Sequence, residues 1–118
     1  MFDEKAIRQA LGMVKFLSHI DGAKRHYGKS RLNYGRGENY GNTPVEFWII
    51  FSVDGKYFEF FTSDMRYTNG DCRACIRTCE NERDFRGGQN HFVSDIEELR
   101  KFLIKNGVDE QKTYGRGE

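Results

Sequence analysis

The run from Val45 to Thr62 constrains this chain more than any other stretch. Two segments, Val45-Glu46-Phe47-Trp48-Ile49-Ile50-Phe51-Ser52-Val53 and Lys56-Tyr57-Phe58-Glu59-Phe60-Phe61-Thr62, are rich in β-branched and aromatic residues, and only Asp54-Gly55 separates them. Such residues suit a pleated strand, and Asp-Gly is a favoured filling for a two-residue type I′ turn. A turn that short fixes the register. It pairs Val53 with Lys56 beside the turn; it then puts Phe51 opposite Phe58 and Ile49 opposite Phe60 on one face, and Ser52 with Tyr57, Ile50 with Glu59 and Trp48 with Phe61 on the other. The first face is apolar throughout and must be the core side. The second is mixed, so Trp48 and Phe61 are either half-covered or an exposed aromatic patch.

A hairpin alone is marginal and needs partners. Residues 3–18 supply one, because Ile7, Ala10, Leu11, Val14 and Leu17 recur at helical spacing, with Met13, Phe16 and Ile20 widening the stripe. Asp3 is a candidate cap, Phe2 and Ile7 fit a hydrophobic staple, and Gly22 is a candidate stop. Ser94-Asp95-Ile96-Glu97 reads as a capping box opening a second helix over 95–106, with Ile96, Leu99, Phe102 and Leu103 as its apolar stripe and Gly107 after it. The expected fold is therefore α+β: a single domain over 1–107, with an antiparallel sheet built on the central hairpin and flanking N-terminal and C-terminal helices. Residues 108–118 read as a flexible polar tail. A chain of 118 residues is one domain's worth.

Residues 23–43 change character. Lys24, Arg25, Lys29, Arg31 and Arg36 are interleaved with Tyr27, Tyr34 and Tyr40 and with several glycines. The spacing predicts a long basic loop, with one short strand around 31–34. Basic side chains neutralise phosphates, and tyrosines stack on unpaired bases; the same residue types, with Trp48, also dominate protein interfaces. Gly28-Lys29-Ser30 resembles the end of a phosphate loop, but the required upstream glycine is Ala23 and no strand precedes it. The pentapeptide Tyr-Gly-Arg-Gly-Glu occurs at 34–38 and again at 114–118, and no mechanism follows from it.

The Cys/His segment, 71–91, holds all three cysteines. Cys72, Cys75, Cys79 and His91 form C-x2-C-x3-C followed by a histidine, a donor set that suits a closed structural zinc site. Cys72, Cys75, Ile76 and Cys79 also fall at the spacing of a buried helical stripe, and a strand would instead align Cys75, Arg77 and Cys79 on one face. These three alternatives stand side by side.

The net charge of +1 gives no bulk pull on a polyanion, so any basic surface is local. The acidic N-terminus and the lack of a long apolar run predict neither a signal peptide nor a membrane span. An odd cysteine count without a secretion signal predicts reduced thiols and a cytoplasmic address. No metal-hydrolase or nucleotide-binding motif is present, and a Cys–His nucleophile pair would need the two residues to meet in space. The expected function is a small non-catalytic inhibitor or adaptor that binds a protein, with Lys24, Arg25, Tyr27, Lys29, Arg31, Tyr34, Arg36, Tyr40 and Trp48 as contact residues. The basic segment suggests a partner that handles nucleic acid, in the sharpest form a CRISPR effector blocked by a phage-type anti-defence protein. The alternatives are a module that binds RNA or single-stranded DNA through 24–40, and a small enzyme using the Cys/His cluster.

Overall fold

The computed structural model describes residues 4–32, 45–62, 74–85 and 89–115, of which 4–7, 28–32 and 45–47 are described by their backbone alone. The chain is an α+β fold. Helix α1 (Glu4–His19) leads into five strands, β1 (Ala23–Leu32), β2 (Val45–Val53), β3 (Lys56–Thr62), β4 (Ala74–Cys79) and β5 (His91–Val93), followed by α2 (Ile96–Lys105) and a short 3-10 helix (Glu110–Tyr114). The strands form one antiparallel sheet in the order β1-β2-β3-β4-β5, so every strand lies beside its neighbour in sequence.

The hairpin is as the sequence predicts. All six β2–β3 pairs match, from Val53 with Lys56 to Trp48 with Phe61. Asp54 and Gly55 both take positive φ, 53° and 78°, as a type I′ turn requires. Ile49, Phe51, Phe58 and Phe60 are buried, and β4 and β5 extend their face with Ala74, Ile76 and Val93. Both helices cover this face. Met13 and Leu17 of α1, Ile20 just after it, and Leu99 and Leu103 of α2 complete one core. The cap expected at Asp3 lies outside the described residues.

The α2 cap is shifted one residue from the expected box. Asp95 is the N-cap and accepts from Glu98 N at 2.9 Å, while the Glu98 carboxylate accepts from Ser94 N at 2.6 Å. The helix ends in a Schellman motif, with Gly107 N donating to Ile104 O and Val108 N to Leu103 O. Gly107 takes φ 99°, a left-handed conformation that favours glycine at this stop.

Two expectations are corrected, and one set of alternatives is decided. Residues 23–32 are a strand, not the first half of a loop, because the free edge of β2 offers this segment a ladder that outweighs its weak strand propensity. Of the alternatives for the cysteine segment, the strand is the one found over Ala74–Cys79: β4 pairs with β3 from Thr62–Ala74 to Tyr57–Cys79. Residues 108–114 are docked, since Val108 and Thr113 are buried, Asp21 N donates to Lys112 O, and Lys112 Nζ reaches Asp54 Oδ1 at 2.6 Å on the hairpin turn.

Candidate functional site: the helix-free face of the sheet

Strand alternation sends every second side chain to the face without helices. Three cross-strand rows follow from the register. One joins Lys24, Ser52, Tyr57 and Cys79; the next joins Tyr27, Ile50, Glu59 and Arg77; the third joins Lys29, Trp48, Phe61, Cys75 and Phe92.

Arg77 is the centre of this face. Only 2% of its surface is exposed. Burying a guanidinium is costly unless every donor finds an acceptor. Arg77 Nε donates to Glu59 Oε1 at 2.5 Å, Nη2 to the Asp84 carbonyl at 2.5 Å, and Nη1 to Asp84 Oδ2 and Thr78 O at 3.4 Å. Glu59 is held from the other side by Trp48 Nε1 at 2.6 Å. Asp84 also accepts from Glu80 N at 3.0 Å, which fixes the turn after β4. The network thus ties β2, β3, β4 and the following turn together, and it delivers Phe85 to a defined place. The Phe85 ring lies edge-on to Tyr27 at 5.5 Å and tilted against Trp48 at 6.3 Å, yet is 54% exposed. A large aromatic ring, seated on two others and open to solvent, stands where a charged pair fixes its backbone.

Beside it, a bulge between Arg25 and Tyr27 turns His26 onto the same face. His26 Nε2 and Ser52 Oγ share a hydrogen bond at 2.8 Å, Nδ1 stands 3.4 Å from Glu82 Oε2, and the ring lies over Tyr57 at 5.4 Å. The order serine–imidazole–carboxylate is that of a hydrolytic relay. Ser52, however, is 6% exposed in the middle of β2. These contacts hold Glu82 and its turn against β1 and β2.

The sequence-predicted residues divide as follows. Lys24, Tyr27, Lys29, Arg31 and Trp48 fall by register on the helix-free face, and Arg25 on the helix side. Tyr34, Arg36 and Tyr40 lie outside the described residues, as does Cys72. Cys75 and Cys79 share the helix-free face but stand four strand positions apart, about 13 Å along the chain, with Arg77 between them. Zinc holds each thiolate at about 2.3 Å, so this pair cannot serve one ion. His91 pairs with Ile76 on the opposite face and packs against Phe102 at 5.0 Å. Cys79 and His91 line one cavity without Cys75, and among the described residues no group of three or more His, Cys, Asp or Glu is placed to hold a metal.

Both described thiols are free. Burial raises the Cys75 thiol, and burial pushes Cys79 up to about 11, with Asp84 and Glu59 adding to the rise and Arg77 opposing it. The reactive form is the thiolate. Cys79 in the folded protein is therefore expected to alkylate at pH 8 roughly a hundredfold more slowly than in urea. The sign for stability follows, because the unfolded thiol ionises before the folded one. The contribution is intact below the ordinary thiol value near 9 and falls away as pH rises toward 11. Cys79→Ser should flatten that alkaline loss in a melting-temperature series; an unchanged profile would place the loss elsewhere.

Sequence reading missed Glu59, Asp84 and Phe85 as members of this site. The alternation Cys75-x-Arg77-x-Cys79 was the available signal, since on a strand it buries a lone arginine between two thiols and so demands an acid opposite.

A cavity of about 460 Å³ lies at the far end of β4, lined by Thr78, Cys79, Gln89, His91, Phe102 and Lys105 among others. No described helix is long and apolar enough to cross a membrane. No protein family, curated protein or solved structure matches the chain.

Proposed function

We propose that the protein is a non-catalytic binding module that engages a protein partner through the helix-free face of its sheet. The observation that carries this reading is Phe85: an exposed ring supported by Tyr27 and Trp48 and positioned by the buried Arg77 network. Energetic centres of protein interfaces have this form, an aromatic anchor on a rigid support with polar groups around it. By register Lys24, Lys29 and Arg31 share the face of the patch, and their charge favours a partner with acidic groups at the matching rim. In its narrowest form the partner is itself a nucleic-acid-handling protein, a CRISPR effector being the sharpest case. Only the basic composition of 24–36 supports that step.

The second reading, direct binding of RNA or single-stranded DNA, has the same aromatic and basic residues in its favour. Wild-type protein and Phe85→Ala used as paired baits separate the two. A protein retained by the wild type should lose at least about tenfold in affinity for Phe85→Ala when measured with purified components, the lower end of an anchor's contribution. Phe85 makes no hydrogen bond through its side chain, so the variant is expected to melt normally. Tight, salt-sensitive binding of short oligonucleotides by the wild type, with no such protein, would transfer the function to the second reading.

A further inference from the structure

The hairpin turn determines which backbone groups of β1 are spoken for. In a type I′ hairpin the residues flanking the turn, Val53 and Lys56, exchange both hydrogen bonds. Alternation then points the N–H and C=O of Phe51 and Ile49 toward β3, and those of Ser52, Ile50, Trp48 and Glu46 toward β1. By register, Lys24, Tyr27, Lys29 and Arg31 receive those bonds, and Arg25, Gly28, Ser30 and Leu32 turn their backbone groups outward. β1 is the first strand in the sheet, so among the described residues no strand lies beyond it.

This edge is selective. β1 reads Ala-Lys-Arg-His-Tyr-Gly-Lys-Ser-Arg-Leu, with four fixed positive charges and no acid. A second copy of the same strand would place like charges opposite each other, which is how natural edges resist self-pairing. The bulge at His26 interrupts the edge at one end, leaving 28–32 as the continuous stretch. That stretch opens with Gly28, and a glycine inside a strand commonly marks a place where another backbone comes close.

We propose that the outer edge of β1, from Gly28 to Leu32, accepts an extended acidic segment of the partner as a sixth strand. This names the partner's chemistry and rests on the protein-binding reading above. Main-chain hydrogen bonds from Gly28, Ser30 and Leu32 hold the incoming strand, and its alternate carboxylates fall beside the register positions of Lys29 and Arg31. An acidic strand gains where a copy of β1 is repelled, so one sequence feature both prevents self-association and selects the ligand.

The probe is a short synthetic peptide alternating glutamate with valine, compared with its lysine–valine counterpart. Hydrogen exchange read by NMR should show the glutamate peptide protecting the amides of Gly28, Ser30 and Leu32, with weaker binding at high salt and none by the lysine peptide. Ser30→Pro removes an outward N–H and leaves the β2 ladder intact; it should bind the peptide about two- to tenfold less tightly, as expected for losing one hydrogen bond. Lys29→Glu with Arg31→Glu should reverse the peptide preference, which keeps the test decisive if the proline variant folds poorly. Equal binding of both peptides, protection elsewhere, or a concentration-dependent dimer protected along the same amides would overturn the proposal. Phe85→Ala should leave peptide binding unchanged. Peptide binding with a partner indifferent to Phe85 would thus sink the aromatic anchor and spare the edge, and the converse pattern would sink the edge alone.

Discussion

Arg77→Ala is expected to destabilise the fold by about 3–5 kcal/mol, because it strands two carboxylates in a dry setting. Glu59 and Asp84 both depend on the guanidinium, and the Asp84 carbonyl loses its donor as well. Removing one partner of a buried pair costs far more than removing both. Arg77→Met combined with Glu59→Gln should therefore recover much of the loss in urea unfolding. Phe85 offers a second readout, since the network sets its position. The single variant should lose the ring contacts of Phe85 with Tyr27 and Trp48, seen as changed ring shifts by NMR. Normal stability of Arg77→Ala, with those shifts preserved, would remove the network from the centre of the site.

Phe51→Ala should cost a similar amount, about 3–5 kcal/mol. The mechanism differs, being a cavity rather than an orphaned charge. Phe51 is 2% exposed, stacks on Phe58 at 5.5 Å and belongs to the core that β2 shares with both helices. Stability of a domain this size totals about 5–15 kcal/mol, so the variant should melt far below the wild type. Phe51→Leu should lose less than half as much, because it keeps most of the volume. A variant Phe51→Ala that melts like the wild type would mean that the two sheet faces are exchanged.

The hairpin and both helices were legible because their signals are local. Asp54-Gly55 fixes six pairs at once, and the 3.6-residue period in 7–17 and 96–103 needs no partner to be read. β1 was not legible. Lys24 to Arg31 has basic residues and a glycine where strand formers are expected, and it is a strand only because β2 has a free edge in the right place. The cysteine segment fits a helical stripe and a strand alternation equally well on paper; the uncovered edge of β3 decides for the strand. The site was hidden for a related reason. Arg77 finds Glu59 eighteen positions back and Asp84 seven ahead, and no spacing rule links three residues whose meeting depends on strand register and on the turn after β4.

The simple strand order has a kinetic consequence. Each ladder joins segments adjacent in sequence, so the sheet can grow outward from the β2–β3 hairpin through short loop closures, the kind that cost little entropy. The helices obey a different rule. α1 and α2 lie at opposite ends of the chain yet meet over the same face, where the Gly12 position approaches the Ile96 side chain. Their contact closes nearly the whole described chain into one loop, and it is the step that seals the core. Folding of this protein should thus separate into rapid pairing of strands and a slower docking of its two ends, with the barrier set by the docking.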